Sequence, residues 1–349
     1  MMKKYQIVFE SEDVANASSK APSDIRKIAN DLDFEELIVK LKFDSTSYLS
    51  KFKTQVGYRS KWKKIYNAIK PKSVILIQAP IYVKQMGRSR FLKKLKSEKN
   101  VRLIFVVHDV EELRVAYNDL FQKRQFDEML KLANIIIVHN AKMIDFFVKK
   151  GYPQDQLVNL EIFDYLVDAD ISNKSVRFSK EVTIAGNLDE QKTKYLQFLD
   201  KINTNFTLYG PNFNLSSFKN IKYKGIVPAE KIPEILDNGF GLIWDGASID
   251  TCNGDFGNYL KYNNPHKLSL YLVSGLPVFI WRKAAEARFI CENNLGYQIN
   301  SLNDIPNILE KITPEKYKNI ANNVHSMSQK LASGWFTKKA INESLRKLK

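Results

Sequence analysis

Apolar residues in this chain gather in short continuous runs, with segments of helical periodicity between them. In the front half the runs cover residues 5–9, 37–39, 74–78, 103–107 and 135–138. They do not alternate apolar with polar, and unbroken runs of this kind suit parallel strands covered on both faces. Helical segments fit between them, for example over 114–132 and 141–149, the latter closed by Gly151 and Pro153. After a polar stretch at 168–175 the pattern restarts, with strands predicted over 182–185, 206–209, 240–244 and 277–281. A last amphipathic helix, about 336–348, follows the break at Ser333-Gly334. Strand and helix alternating in two series predict an α/β protein. The expected units are a front domain over 1–167, a rear domain over 168–332 and a terminal segment, 333–349. No internal repeat or low-complexity tract interrupts them.

Charge changes the picture more than composition does. The 349 residues hold 54 Lys and Arg against 38 Asp and Glu, a net charge of +16. The excess leans forward, with 30 basic and 20 acidic side chains in residues 1–165. An anionic partner is therefore expected: a membrane surface, a nucleic acid or a phosphorylated ligand. No apolar run approaches the ~20 residues of a membrane span. The apolar stretch behind Lys3-Lys4 stops at Glu10, short of a signal-peptide core, so a cytoplasmic location is expected. Two cysteines, Cys252 and Cys291, are expected as free thiols.

The strongest local feature runs from Asn263 to Trp281. Asn264 is predicted to cap a helix, with Pro265 at its first position, Gly275 as its left-handed terminator and Pro277 opening a strand. Free N–H groups and the positive end of the helix dipole then lie beside Lys267, an arrangement suited to a pyrophosphate. A well-capped helix with a solvated lysine satisfies the same local chemistry.

The order Pro265, Lys267-Leu268, Tyr271-Leu272, Gly275, Pro277-Val278 resembles the nucleotide-sugar helix of GT-B glycosyltransferases. Where many members of that group carry a ribose-binding glutamate, Leu270 stands here. Four more segments narrow the likeness: 108–114 (HDVEELR), 138–143 (VHNAKM), 161–166 (EIFDYL) and 183–188 (TIAGNL). In this order, over roughly residues 1–345, they are similar to a bacterial family holding β-1,6-galactofuranosyltransferases and adhesin-extending glucosyltransferases. The resemblance implies a GT-B fold, two Rossmann-like domains with parallel sheets facing across a cleft. It also implies transfer of a hexosyl residue, galactofuranose first and glucose second, from a UDP-sugar to a glycan acceptor, lipid-linked or on a glycoprotein. The front domain would take the acceptor and the rear domain the donor, with the terminal helix crossing back to the front.

Candidate residues follow. Asn187 ends a strand, where open α/β sheets bind ligands, or serves only the turn after Gly186. Ser18 and Ser19 lie in a loop of small residues after the first strand, placed for main-chain contact with a phosphate or sugar, or form plain surface. Ile226 sits in a segment resembling the family strand whose backbone reads the uracil. Asn263, Asn264, His266 and Lys267 complete the donor set. His108 and Asp109 close an acceptor-side strand. A hydroxyl nucleophile needs a base, so Asp109 could take its proton while His108 positions substrate, or the two could exchange roles. Asp109 could instead pair with Arg114. Glu111 and Glu112 fit an early helical turn.

Metal and cofactor are not expected. The triplets Asp31-Leu32-Asp33 and Asp168-Ala169-Asp170 follow no core strand, and the four histidines show no ligand spacing. Residues 51–72 carry eight Lys or Arg and no acid, with Trp62, Ile65, Tyr66 and Ile69 at helical spacing. A second basic cluster spans 84–102. A basic amphipathic helix with an edge aromatic suits an anionic leaflet, where each cation adds ~1 kcal/mol; a solvated helix over core aromatics is the other reading. A homo-oligomer is a further expectation. The alternative to an enzyme is a non-catalytic basic binding protein, lectin-like or nucleic-acid-binding, but the chain carries no nucleic-acid motif and no nucleic-acid partner is expected.

Overall fold

The computed structural model describes residues 2–11, 20–42, 47–114, 119–171, 174–215 and 219–349. Two six-stranded, wholly parallel sheets form its frame. The first contains β1 (Lys4–Ser11), β2 (Glu35–Leu41), β3 (Val74–Ala79), β4 (Arg102–Val107), β5 (Ile135–Val138) and β6 (Leu157–Asn159), in the order β2-β1-β3-β4-β5-β6. The second contains β7 (Arg177–Ala185), β8 (Asn205–Tyr209), β9 (Ile221–Tyr223), β10 (Asn238–Ile243), β11 (Val278–Trp281) and β12 (Gly296–Ile299), in the order β12-β11-β10-β7-β8-β9. Both sheets are doubly wound. Strand order reverses between β1 and β3 in one and between β7 and β10 in the other, and ligands bind beyond the carboxyl ends of strands at such points.

The continuous apolar runs are buried as their pattern requires. Val74–Ile77 of β3 and all of β5 and β11 are inaccessible to solvent. Separate cores cover the two faces of the first sheet, and one large core fills the second domain. The terminal helix, Trp335–Lys347, buries Ala340 and Ile341 against Val106, Ile135 and Ile137 of the first sheet. Asp164 receives the Phe336 and Thr337 N–H groups at 3.2 and 2.6 Å, capping that helix from the segment joining the two sheets.

The helix predicted over 114–132 is two helices, Glu111–Arg114 and Leu120–Leu132, the second capped by the Asp119 side chain on Phe121 N–H. Trp62 is not an edge aromatic. In the helix Tyr48–Ala68, Tyr58, Trp62 and Ile65 face the sheet and are buried, as is Ile69 just beyond, because this stripe covers β-sheet core. The exposed apolar residues of that helix lie instead in its first half: Tyr48, Leu49, Phe52 and Val56. Arg88 also leaves the second basic cluster, buried against Glu128 at 3.2 Å. Cys252 is buried and Cys291 exposed, and both are free. Among the described residues no helix is long and apolar enough to cross a membrane.

Candidate active site

The carboxyl ends of both sheets converge on one region. From the first sheet come Gln78 (β3), His108 and Asp109 (after β4) and His139-Asn140 (after β5). From the second come Gly186-Asn187 (after β7), Trp244-Asp245 (after β10) and the N-terminus of the helix His266–Val273.

That helix starts one residue later than predicted. Pro265 occupies the cap position in an extended conformation, and no side chain caps the first turn. Asn264 is therefore not the N-cap. Its side chain turns to the other domain, where Nδ2 donates to the Glu161 carbonyl at 3.2 Å, while Oδ1 is buried without a partner. The first-turn N–H groups stay uncapped, which preserves the anion-binding character of the end. Gly275 terminates the helix at φ +88°, the left-handed conformation expected of it.

Lys267 is not solvated. Its Nζ donates to the Trp244 carbonyl at 2.7 Å and to Asp245 Oδ1 at 2.8 Å. Burial pulls its pKa below the ordinary lysine value, Asp245 opposes that shift, and the nearby Lys192 charge adds to it. An ammonium has three donors, so one remains for a ligand. Lys192, on the short helix Glu190–Thr193 after Asn187, is a second cation here that sequence reading passed over; its only local signal was its place five residues past a strand-end asparagine.

Asp109 lies across from this pair. Burial raises its carboxyl pKa above the usual range, Arg114 works against the rise, and Glu111 adds to it. Arg114 Nη1 contacts Asp109 Oδ2 at 3.1 Å and Glu111 Oε1 at 3.3 Å, so the pairing open in the sequence is formed. Glu111 and Glu112 act as more than dipole acids: Tyr82 donates its hydroxyl to Glu111, and Lys150 pairs with Glu112. His108 stacks on Phe163 at 5.5 Å with Nε2 2.6 Å from Gln78 Oε1. Burial, reinforced by His139 and His266, lowers its pKa to about 3, so it is neutral at physiological pH.

His139, His266 and Glu286 form the junction between domains, and sequence reading gave His139 and Glu286 no role. Asn264 N–H donates to His139 Nδ1 at 3.0 Å, which leaves the proton on Nε2 for the Val107 carbonyl at 3.0 Å. His266 stacks on Tyr165 at 4.9 Å with a buried, unpartnered Nε2. Burial brings both rings to about 4. Asn140 Nδ2 donates to the buried Glu286 at 2.8 Å, and burial lifts that carboxyl to about 8. Tyr259 closes the seam from the second domain, its hydroxyl accepting from Val110 N–H at 3.1 Å.

The other predicted donor residues are dispersed. Asn187 is exposed, its Oδ1 accepting from Asp189 N–H at 3.1 Å and Asn212 Nδ2 at 2.8 Å, the bonding of a turn residue. Ile226 lies past the end of β9, 70% exposed, and among the described residues no hydrogen bond engages its main chain. Asn263 donates its N–H to the Tyr259 carbonyl at 3.0 Å and holds a buried, unpartnered Oδ1. Ser18 and Ser19 lie outside the described residues. Among the described residues no group of three or more His, Cys, Asp or Glu could hold a metal ion.

Residues 4–162 match the model of the glucosyltransferase 3-like N-terminal domain, and residues 182–344 that of the C-terminal domain. A β-1,6-galactofuranosyltransferase of Escherichia coli K12, WbbI, is 38% identical over 71% of this chain and 72% of its own. The chain belongs to the glucosyltransferase 3-like family. Within it, glucosyltransferase 3 of Streptococcus gordonii is 25% identical over 92% of both chains. The Anabaena protein HepE, solved with UDP-glucose, superposes with a TM-score of 0.61 at 12% identity, over 98% of this chain and 99% of its own. This family member is thus a glycosyltransferase with the GT-B fold expected from its sequence.

Proposed function

We propose that this enzyme transfers a hexosyl residue from a UDP-sugar to a glycan acceptor, with galactofuranose as the first donor and glucose the second. The donor order follows the 38% identity to a galactofuranosyltransferase against 25% to a glucosyltransferase. The observation that carries the reading is the arrangement of opposed charges at the carboxyl ends of the two sheets. Lys267 and Lys192 sit with an uncapped helix end on the second-domain side, and a carboxylate of raised pKa faces them from the first domain.

In this scheme the second domain holds the donor. Lys267 and Lys192 contact the diphosphate, the free main chain of Ile226 reads the base, and Asn187, Asn263, Asn264 and His266 shape the surrounding pocket. The first domain holds the acceptor. As its hydroxyl attacks the anomeric carbon, Asp109 takes the proton, and the bond to the diphosphate oxygen breaks with its electron pair leaving on UDP. The raised carboxyl pKa suits a base that must hold a proton through the transfer. His108, neutral and fixed by Gln78 and Phe163, positions the acceptor. The two lysines and helix dipole stabilise the charge developing on the leaving diphosphate.

A donor screen that measures UDP release, followed by NMR of the product, tests the reading. Turnover with UDP-galactofuranose is expected. Absence of both UDP binding and sugar transfer with every UDP-hexose would overturn it and favour a basic binding protein. The exposed lysines of the helix Tyr48–Ala68 are suited to an anionic surface carrying such an acceptor. Changing Lys61, Lys63 and Lys64 to Gln should then reduce sedimentation with anionic vesicles, whereas equal sedimentation would leave this face simply solvated.

A further inference from the structure

One tyrosine of the second domain reaches the proposed base of the first. Tyr259 is the last residue of the short helix Gly254–Tyr259 and is buried. Its hydroxyl oxygen accepts the N–H of Val110, the residue after Asp109, at 3.1 Å. That leaves the hydroxyl's own proton, which is hydrogen-bonded to the Asp109 carboxyl. Burial raises the phenol's pKa well above its usual value, so the proton stays on the tyrosine and Tyr259 meets the carboxylate as a donor.

The same helix is anchored on the donor side. Gly257 lies so close to the segment after β10 that a Cβ there would sit 2.8 Å from the Asp245 carbonyl oxygen. Asp245 is the partner of Lys267. The Tyr259 carbonyl in turn accepts the Tyr262 and Asn263 N–H groups at 2.9 and 3.0 Å, which fixes the turn leading into the helix His266–Val273. Tyr259 thus touches Asp109 with its side chain and the approach to Lys267 with its main chain.

We propose that Tyr259 is a positioning residue for Asp109: by donating to the carboxyl from the opposite domain, it aims the base at the acceptor hydroxyl and ties proton removal to the docked arrangement of the two domains. This rests on the reading of Asp109 as the base. Arg114 holds Oδ2 from within the first domain, so the carboxylate keeps one partner without Tyr259. What it loses is the contact that sets its orientation relative to the donor, and a small misplacement of a reacting group is costly.

Tyr259→Phe removes one oxygen and keeps the ring. The other groups facing the Asp109 carboxyl are Arg114 and Glu111 of the following helix, Tyr82 from the loop after β3 and Lys192 from the second domain, none of which the change touches. A hydrogen bond to an ionised carboxyl lowers its pKa, so losing this one raises it. The acidic limb of kcat/KM against pH should therefore move upward by about half a pH unit or more. Plateau kcat should fall about tenfold while UDP affinity by calorimetry stays within about twofold. Tyr259→3-fluorotyrosine keeps every contact and strengthens the donor, so it should move the same limb downward. In the Asp109→Asn background Tyr259→Phe should cost less than about twofold further, because no base remains to be aimed. An acidic limb that moves in neither variant overturns the positioning role, as does an equal fractional loss in the parent and Asp109→Asn backgrounds. Failure of the underlying reading looks different: Asp109→Asn itself turns over near normally, and the proposal falls with it.

Discussion

The two domains share one architecture and differ at the carboxyl ends of their strands. In the second, everything around Lys267 is packed. Six of the eight residues of the helix His266–Val273 are buried. It lies so close to β10 that a Cβ at Gly241 would sit 2.2 Å from the Tyr271 ring, and the Tyr271 hydroxyl accepts from Ala185 N–H at 2.7 Å. In the first, the same location holds a cavity with a mixed apolar and charged lining and a short helix carrying Asp109's partners. Close packing holds the Lys267 charge in one place, as the proposed diphosphate contact requires. An open end leaves room for acceptors that differ. On the proposed reading, the contrast teaches that one fold supplies a rigid socket and an adaptable one through what packs over the strand ends.

The largest effect that would break this division lies at Asp109. Asp109→Asn keeps the shape and removes the base, so turnover should fall by roughly 10²–10⁴. UDP affinity should stay nearly unchanged, because the proposed diphosphate contacts, Lys267 and Lys192, belong to the other domain. The ion pair with Arg114 offers a rival role, and a variant that lost thermal stability in step with activity would favour it. An equally stable Asp109→Asn enzyme with near-normal turnover would move the base to His108.

Lys267 comes next. Lys267→Ala should weaken UDP binding by roughly 1.5–3 kcal/mol, the range for hydrogen bonds to charged groups. The single change also leaves Asp245 buried without its cation, which costs stability independently. The double variant Lys267→Met with Asp245→Asn removes both charges, and it should bind UDP as weakly while melting closer to the parent. Unchanged UDP affinity in the folded double variant would remove Lys267 from the donor site.

How much of this was legible in the sequence follows the physics of burial. Central strands announce themselves because both faces are covered, and the run 135–138 matches β5 residue for residue. Three strands carried no signal of their own: β6, β9 and β12, all at sheet edges. They are three or four residues long, and most residues of β9 and β12 stay at least partly exposed, so no apolar run marks them. The site divides similarly. Lys267 was legible through the helix grammar around it. Its partner Asp245 was not, since tertiary packing alone brings together residues 22 apart on different elements. The His139–Asn264 bond spans 125 positions, and Glu286 stands between two alanines with no periodic or motif signal.

That unheralded seam offers a smaller test. His139 ordinarily titrates near 6.5 and is held to about 4 by burial. The unfolded chain therefore takes up its proton first, and the stability His139 contributes is complete above pH 6.5 and lost as pH falls toward 4. Glu286, raised to about 8, has the opposite sign: its contribution is present at low pH and disappears as pH climbs from 4.5 to 8. The two partly cancel in the parent protein, so the informative quantity is the difference from a variant. Between pH 7 and pH 5 the stability gap between parent and His139→Gln should shift by about 2 kcal/mol in favour of the variant. Chemical denaturation at the two pH values measures it, and a gap that does not move with pH would mean that His139 is not held neutral at the junction.

The smallest effect expected is from chelation, and it probes the packed side of the comparison directly. A leaving diphosphate must have its charge met by something. Lys267, Lys192 and the uncapped first turn of the helix His266–Val273 place cationic groups and N–H dipoles at one place on the second domain. If these suffice, transfer should continue at an undiminished rate in excess EDTA, and Lys192→Ala should slow it at any metal concentration. Complete loss of activity on chelation, restored by Mn, would show that the lysines do not meet the diphosphate charge unaided. The rigid socket would then be a platform on which a metal–diphosphate complex sits, and removing Lys267 would affect binding of that complex far less than binding of free UDP.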